Sequence, residues 1–326
     1  MRFRLDLERH GVVLSVVAMA MLIGIAGLVR VIHDPQGTHQ PSPSTAPRAG
    51  EEAEPAPSPS SPRPRASLPF EPREGVFDDG RFLVAYYGTA GTGSLGVLGE
   101  SDPDRMHRRL LDAAAAFARP SQPVLPVYEL IVTVADRVPG KDRDYSHDID
   151  HAAVRQYVEA ARRNKALLLL DIQPGRSDFL EVARRWQWAL EEPHVGLALD
   201  PEWRMHRAVP GTRIGHVSAF EVNRTARWLS QLTKARGLPE KLFVLHQFRT
   251  SMIEDIGAIG PRANLAMVQH VDGFGTPGQK RATYGAVARP RQFAMGFKLF
   301  YDEDQPRMGS AEVHGLRPDV RFVSFQ

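Results

Sequence analysis

Val195-Gly196-Leu197-Ala198-Leu199-Asp200-Pro201-Glu202-Trp203 is the stretch on which the reading of the fold turns. Five apolar residues in a row read as a strand buried on both faces, as in a parallel sheet covered by helices. The run stops at two acids. Side chains alternate with period two along a strand, so a strand continued through Pro201 would send Asp200 and Glu202 to the same side. A proline at a strand end is compatible with this, because no ladder donor is needed there.

The same event recurs along the chain. Leu167-Leu168-Leu169-Leu170 runs into Asp171 and Gln173; Leu242-Phe243-Val244-Leu245 into His246 and Gln247; Ala266-Met267-Val268 into Gln269, His270 and Asp272. Apolar strands that end repeatedly in acids, amides and histidines point to an active site at the carboxyl end of a parallel sheet.

Further strands are expected over Phe82–Tyr87, Val124–Val134, Phe293–Phe300 and Val320–Phe325. Helices separate most of them. Met106, Leu110, Ala113 and Phe117 follow Pro103 at helical spacing; Val154, Tyr157, Val158 and Ala161 mark a second helix; Phe179, Val182, Trp186 and Leu190 a third. Ser218 and Glu221 stand at capping-box spacing before Val222, Thr225, Leu229 and Leu232, and Gly237 with Pro239 ends that helix. The later crossovers are weaker: Ser251 to Ile256 suits only a short helix, and Met308 to Leu316 reads as mostly loop. Eight strands separated mostly by helices within residues 76–326 match a (β/α)8 TIM-like barrel. A doubly wound open sheet is the alternative. The barrel is favoured because polar residues follow many strands rather than one switch point.

Before this domain, Gly11 to Val29 is uncharged, apolar and of bilayer-spanning length, with Arg2, Arg4 and Arg9 ahead of it. It reads as an uncleaved signal-anchor over 11–33, with residues 1–10 cytoplasmic. Residues 34–75 are rich in Pro, Ser, Ala and Glu and read as a disordered, extended spacer. The chain contains no cysteine, which excludes disulfides, a thiolate nucleophile and Cys-ligated zinc. The net charge is only +3, and no basic stripe with interleaved aromatics is present, so nucleic acid is not an expected partner.

Asp200 and Glu202 form the leading carboxylate pair: two acids in one cleft serve as acid and base when their surroundings push the pKa values apart. A capping role for Asp200 is the structural rival. Glu129 stands in the apolar run Val127-Tyr128-Glu129-Leu130-Ile131, where it needs a partner or its pKa rises. A raised carboxyl suits a general acid; a structural pair with Arg or Lys fits the sequence equally. Glu202, Asp200 and Glu129 are therefore the catalytic candidates. Carboxyl groups roughly 5–5.5 Å apart would retain anomeric configuration, and about 6.5–9.5 Å would invert it.

Tyr87, Asp171, Gln173, Trp203, His246, Gln247, His270, Asp272, Lys298 and Tyr301 are the candidates for holding substrate. Asp171 and Gln173 precede the turn Pro174-Gly175, so turn capping competes with a site role for Asp171. Lys298, inside the seventh strand, calls for a carboxylate neighbour. Asp302-Glu303-Asp304 reads as a solvated loop. Tyr86-Tyr87-Gly88-Thr89-Ala90-Gly91-Thr92-Gly93 lacks the lysine of a P-loop and the spacing of a dinucleotide fingerprint, and reads as a flexible loop over the mouth.

Tyr86 to Glu100, Asp171-Ile172-Gln173-Pro174-Gly175, Val195 to Trp203, Leu245-His246-Gln247-Phe248 and Phe300-Tyr301-Asp302-Glu303-Asp304 together resemble an actinobacterial family of exported proteins. The resemblance covers most of Phe82 to Gln326. It implies a glycoside-hydrolase-like barrel, attached in some relatives to cell-wall-binding modules, and supplies no catalytic residues. The expectation is a single-pass membrane protein whose extracytoplasmic barrel acts on cell-wall or extracellular carbohydrate, with no cofactor and no assigned metal ligand. A non-catalytic wall-binding or scaffold protein on the same barrel is the first alternative. A metal-dependent hydrolase using Asp171, Asp200, His246, His270 and Asp272 is the second, although no metal-ligand motif is present.

Overall fold

The computed structural model describes residues 75–326. The expected anchor over 11–33, and all but the last residue of the expected spacer over 34–75, lie outside the described residues. Among the described residues no helix is long and apolar enough to cross a membrane.

Eight parallel strands close into a barrel: β1 (Phe82–Gly88), β2 (Val124–Ala135), β3 (Leu167–Ile172), β4 (Val195–Leu199), β5 (Lys241–Gln247), β6 (Leu265–Val271), β7 (Ala294–Leu299) and β8 (Val320–Phe325). Each pairs with its sequence neighbour, and β8 returns to pair with β1. The open-sheet alternative is thereby excluded. β2 runs beyond the barrel and takes a short antiparallel partner, Ser146–Asp148.

The crossovers are α1 (Pro103–Ala115), α2 (His151–Arg163), α3 (Phe179–Arg185) with the single turn α4 (Gln187–Leu190), α5 (Ala219–Ala235), α6 (Pro277–Val287) and the short α7 (Ser310–His314). Their starts follow from local chemistry. Asp102 accepts from the Arg105 amide ahead of Pro103, which occupies the first helical position. Helix α6 was not expected from the sequence. Thr276 and Gln279 close a capping box at its start, and its buried face is Lys280, Tyr284 and Val287, so a lysine interrupts the apolar stripe that marks a helix. The Ser251–Ile256 stretch forms a turn and a two-residue strand, Ile253–Glu254, paired with Val217–Ser218.

Alternation divides the core into two layers. Outward-facing strand residues such as Phe82, Val84, Tyr86, Leu168 and Leu170 pack against the helices. Inward-facing residues fill the barrel: Leu83 and Ala85 of β1, Leu125 and Val127 of β2, Leu167 and Leu169 of β3, Ala198 of β4, Leu242 and Val244 of β5, Ala266 and Val268 of β6, and Phe322 of β8. Leu169 and Val244 are fully buried there. Truncating such a leucine costs about 2–5 kcal/mol, so this packed lower interior is a main source of the stability against which the polar end is held.

Candidate active site

Two residues further along each strand the inward-facing row changes character. Its members are Tyr87, Glu129, Asp171, Asp200, His246, His270, Lys298 and Ser324, one from each of the eight strands, with Asp200 just past the end of β4. All are buried. Register brings Tyr87 beside Glu129, His246 beside His270, and Lys298 beside Ser324. Asp272, just beyond β6, and Glu202 join this crown from the loops.

His246 is its hub. Its Nδ1 lies 3.0 Å from Asp272 Oδ2, and its Nε2 lies 3.1 Å from both Glu129 Oε1 and Asp171 Oδ2. Burial alone would push the imidazole down. The three carboxyls around it, Asp171, Asp272 and Glu129, outweigh burial and hold His246 well above its ordinary value, as a buried imidazolium. His270, 5.1 Å from His246 ring to ring, meets the opposite fate. Burial lowers it to about 4 and leaves it neutral. Its Nε2 is 3.3 Å from the Ser324 hydroxyl, and its ring stacks on Phe322. Gly296 makes room for that ring: a Cβ at 296 would stand 2.7 Å from His270 Cδ2.

The carboxyls divide in the same way. Burial raises Glu129 and Asp272, but the His246 hydrogen bond with its charge, and the charge of Lys298, leave both below the ordinary range. Glu129 is therefore paired, to a histidine rather than to the Arg or Lys of the structural alternative, and is not the raised acid its apolar strand suggested. Asp171 is raised by burial despite His246. It points into the barrel and does not cap the turn. Asp200 is raised well above its ordinary value by burial and by the charges of Glu202 and Asp171. Glu202 is pushed up to about 7 by burial and by Asp272.

The route that brings Glu202 here differs from period-two alternation. Strand β4 stops at Leu199, and Pro201–Trp203 form a 3-10 turn that carries Glu202 over the mouth. Glu202 and Trp203 are half-buried, unlike the crown beneath them. The turn is braced. Gly215 N donates to Glu202 O at 2.6 Å, and Arg204 Nε donates to Glu221 Oε1 at 2.9 Å. Glu221 also accepts from Phe179 N, so the Ser218–Glu221 pattern caps through the serine alone while the glutamate ties down the loop after Glu202.

Lys298 Nζ sits 3.3 Å from the centre of the Tyr87 ring, so an aromatic face takes the place of the expected ion pair. Gln173 donates to the Tyr87 hydroxyl at 3.4 Å and accepts from Ala135 N, making it a brace for the ring. The glycine-rich stretch after β1 packs closely on the strand. Gly96 has φ +135°, and a Cβ there would meet Tyr87 O at 2.3 Å.

Two expected members stand elsewhere. Gln247 alternates to the outer face of β5, where Gln269 donates to it at 2.6 Å. Tyr301 shares a hydrogen bond with the outward-facing Tyr86 and stacks on Phe325. The Asp302–Asp304 loop is not simply solvated. Asp304 is buried, pairs with Lys280 at 3.0 Å and accepts from the amides of Gly275 and Phe300. Of the crown, only Ser324 escaped the sequence reading; its signal was its place two residues after Phe322 on the last strand.

No protein-family model matches the chain, and no curated protein matches it.

Proposed function

We propose that the protein is a glycoside hydrolase, with Glu202 as general acid and Asp272 as the ionised partner carboxylate. The observation that carries this reading is Glu202: a half-buried acid on the mouth, raised to about 7 and pushed there partly by Asp272. A group with that value is protonated often enough at neutral pH to donate, and weak enough as an acid to hold its proton until the leaving oxygen needs it. Its proton goes to the glycosidic oxygen as the bond to the anomeric carbon breaks. Asp272, ionised and oriented by His246, faces the positive charge that develops on the sugar ring. Water supplies the hydroxyl of the new anomeric centre and the proton that returns the pair to its starting state. Asp200 keeps its own proton, held there by burial and by the charges of Glu202 and Asp171, and Trp203 on the same turn offers a face for an apolar sugar surface.

Glu129 lies below this level, fully buried against His246, which supports a positioning role rather than the catalytic one its strand suggested. The Gly11–Val29 segment and the spacer after it support a cell-wall or other extracellular glycan as substrate, reached from a membrane anchor.

Purified cell-wall glycan and soluble β-linked oligosaccharides incubated with the protein test the reading. New reducing ends are expected, with Asp272→Asn reducing their release by about 10²-fold or more. Binding to the polymer by folded protein with no reducing ends formed on any glycan would replace this reading with a wall-binding barrel.

A further inference from the structure

Four donors from four strands converge beneath the mouth with their hydrogen-bonding capacity incompletely used. Potential ligand atoms of Glu129, His246 and His270 lie within 4.8 Å of one another, and all three residues are fully buried. Asp171 stands beside this group, its Oδ2 3.1 Å from His246 Nε2. Each histidine is anchored through one nitrogen, His246 by Asp272 and His270 by Ser324, so that the other is turned toward the carboxylates. Glu129 Oε2, His270 Nδ1 and both Asp171 oxygens have no hydrogen-bond partner. Buried polar atoms are rarely left this way, because each orphan costs about 1–3 kcal/mol.

We propose that Glu129, Asp171, His246 and His270 form a binding site for one first-row divalent transition-metal ion at the floor of the barrel mouth. A proton on His246 Nε2 serves Glu129 Oε1 but leaves His270 Nδ1 and Asp171 unserved. A single ion that displaces this proton to solvent as it binds serves His246 through Nε2 together with the other donors. Ligands held about 2.0–2.2 Å from an ion stand about 3–4 Å from one another. Three of the separations fall in that range, 3.1 Å from His246 Nε2 to each carboxylate and 3.9 Å from His270 Nδ1 to Glu129 Oε1, and Asp171 closes on the ion from beside His246. Two imidazoles with two carboxylates suit Zn²⁺, Co²⁺, Fe²⁺ or Mn²⁺, and disfavour Ca²⁺ and Mg²⁺, which take oxygen donors. Asp272 and Ser324 supply the outer contacts that metal-bound histidines require. Because the site is closed to solvent, the ion enters as the barrel folds and exchanges slowly afterwards.

Metal binding is measured without substrate, so its outcome is separate from that of the glycosidase reading. The full chain, purified in detergent, is analysed for metals as isolated. It is then unfolded in urea with chelator and refolded with Co²⁺ alone. The expected results are about one ion per chain in the refolded protein, visible Co²⁺ absorption bands and a higher melting temperature than protein refolded without metal. His270→Gln is expected to lose the bands. Ser324→Ala, a milder change that keeps all four ligands, is expected to weaken Co²⁺ binding by about 10- to 100-fold. Wild-type protein that refolds to its native circular dichroism yet binds no Co²⁺ overturns the proposal. So does Co²⁺ bound with unchanged bands and affinity in both variants, which would place the ion elsewhere.

Discussion

The lower and upper halves of the barrel interior are built by the same strands, in the same alternation, and differ only in residue type. Below, Ala85, Val127, Leu169, Ala198, Val244 and Val268 interdigitate as an apolar core. Two residues further on, the same strands present Tyr87, Glu129, Asp171, Asp200, His246 and His270. The backbone treats both rows alike; chemistry separates them. Burying the upper row is costly, since charges out of water need partners. The apolar half and the His246-centred pairing together offset that cost, and the result is a set of carboxyls driven both above and below their ordinary values.

The comparison breaks most severely if the upper chemistry is moved down one level. Val244→Asp puts a carboxylate where nothing can pair with it, and loss of the cooperative thermal transition is expected, read by circular dichroism. The converse change, His246→Leu, removes the shared cation and leaves Glu129, Asp171 and Asp272 facing one another. It is expected to cost about 3–5 kcal/mol in urea unfolding. Gly296→Ala keeps every polar group but presses on the His270 ring, for an expected loss of about 1–3 kcal/mol in the same measurement.

Glu202→Gln moves in the opposite direction. The folded carboxyl titrates at about 7 against an ordinary 4.5, so the folded state holds an extra proton between those values. Stability contributed by Glu202 is therefore full below about pH 4.5 and falls as pH rises through 7. Replacing it by an uncharged amide is expected to stabilise the protein at pH 8 by about 1 kcal/mol or more, with the gain shrinking at pH 5. An equal gain at both pH values would mean that Glu202 is not raised.

Much of this was legible in the sequence, for a physical reason. A strand buried on both faces reads as an apolar run, so the first polar residue after it marks the open end of the barrel. That signal found Asp171, Asp200, His246 and His270, while Glu129 and Lys298 stood out as charges inside apolar strands and Tyr87 as an aromatic at the end of the first. The same signal swept in Gln247, whose neighbour His246 already occupies the inward position. Tyr301 came from the loop after β7 and lies with the outward-facing Tyr86. Ser324 was passed over because a serine between aromatic residues carries no chemical signature by itself. Helix α6 and the Lys280–Asp304 pair were hidden together: each needs the other to be buried, and a lysine 24 residues before its aspartate gives no periodic trace. Glu202 was placed in the right cleft by the wrong geometry, since a turn begun at Pro201, and not strand alternation, delivers it.

Glu202 as general acid is the centre of this account. Its direct test is the rate of reducing-end release from cell-wall glycan across pH 5 to 8, for wild type and Glu202→Gln side by side. The wild-type rate is expected to fall as pH rises through about 7, where the acid loses its proton. Glu202→Gln is expected to lose about 10²–10⁴-fold at pH 5 to 6, with the gap to wild type narrowing above pH 7. A variant that retains the wild-type rate and pH profile would contradict the assignment.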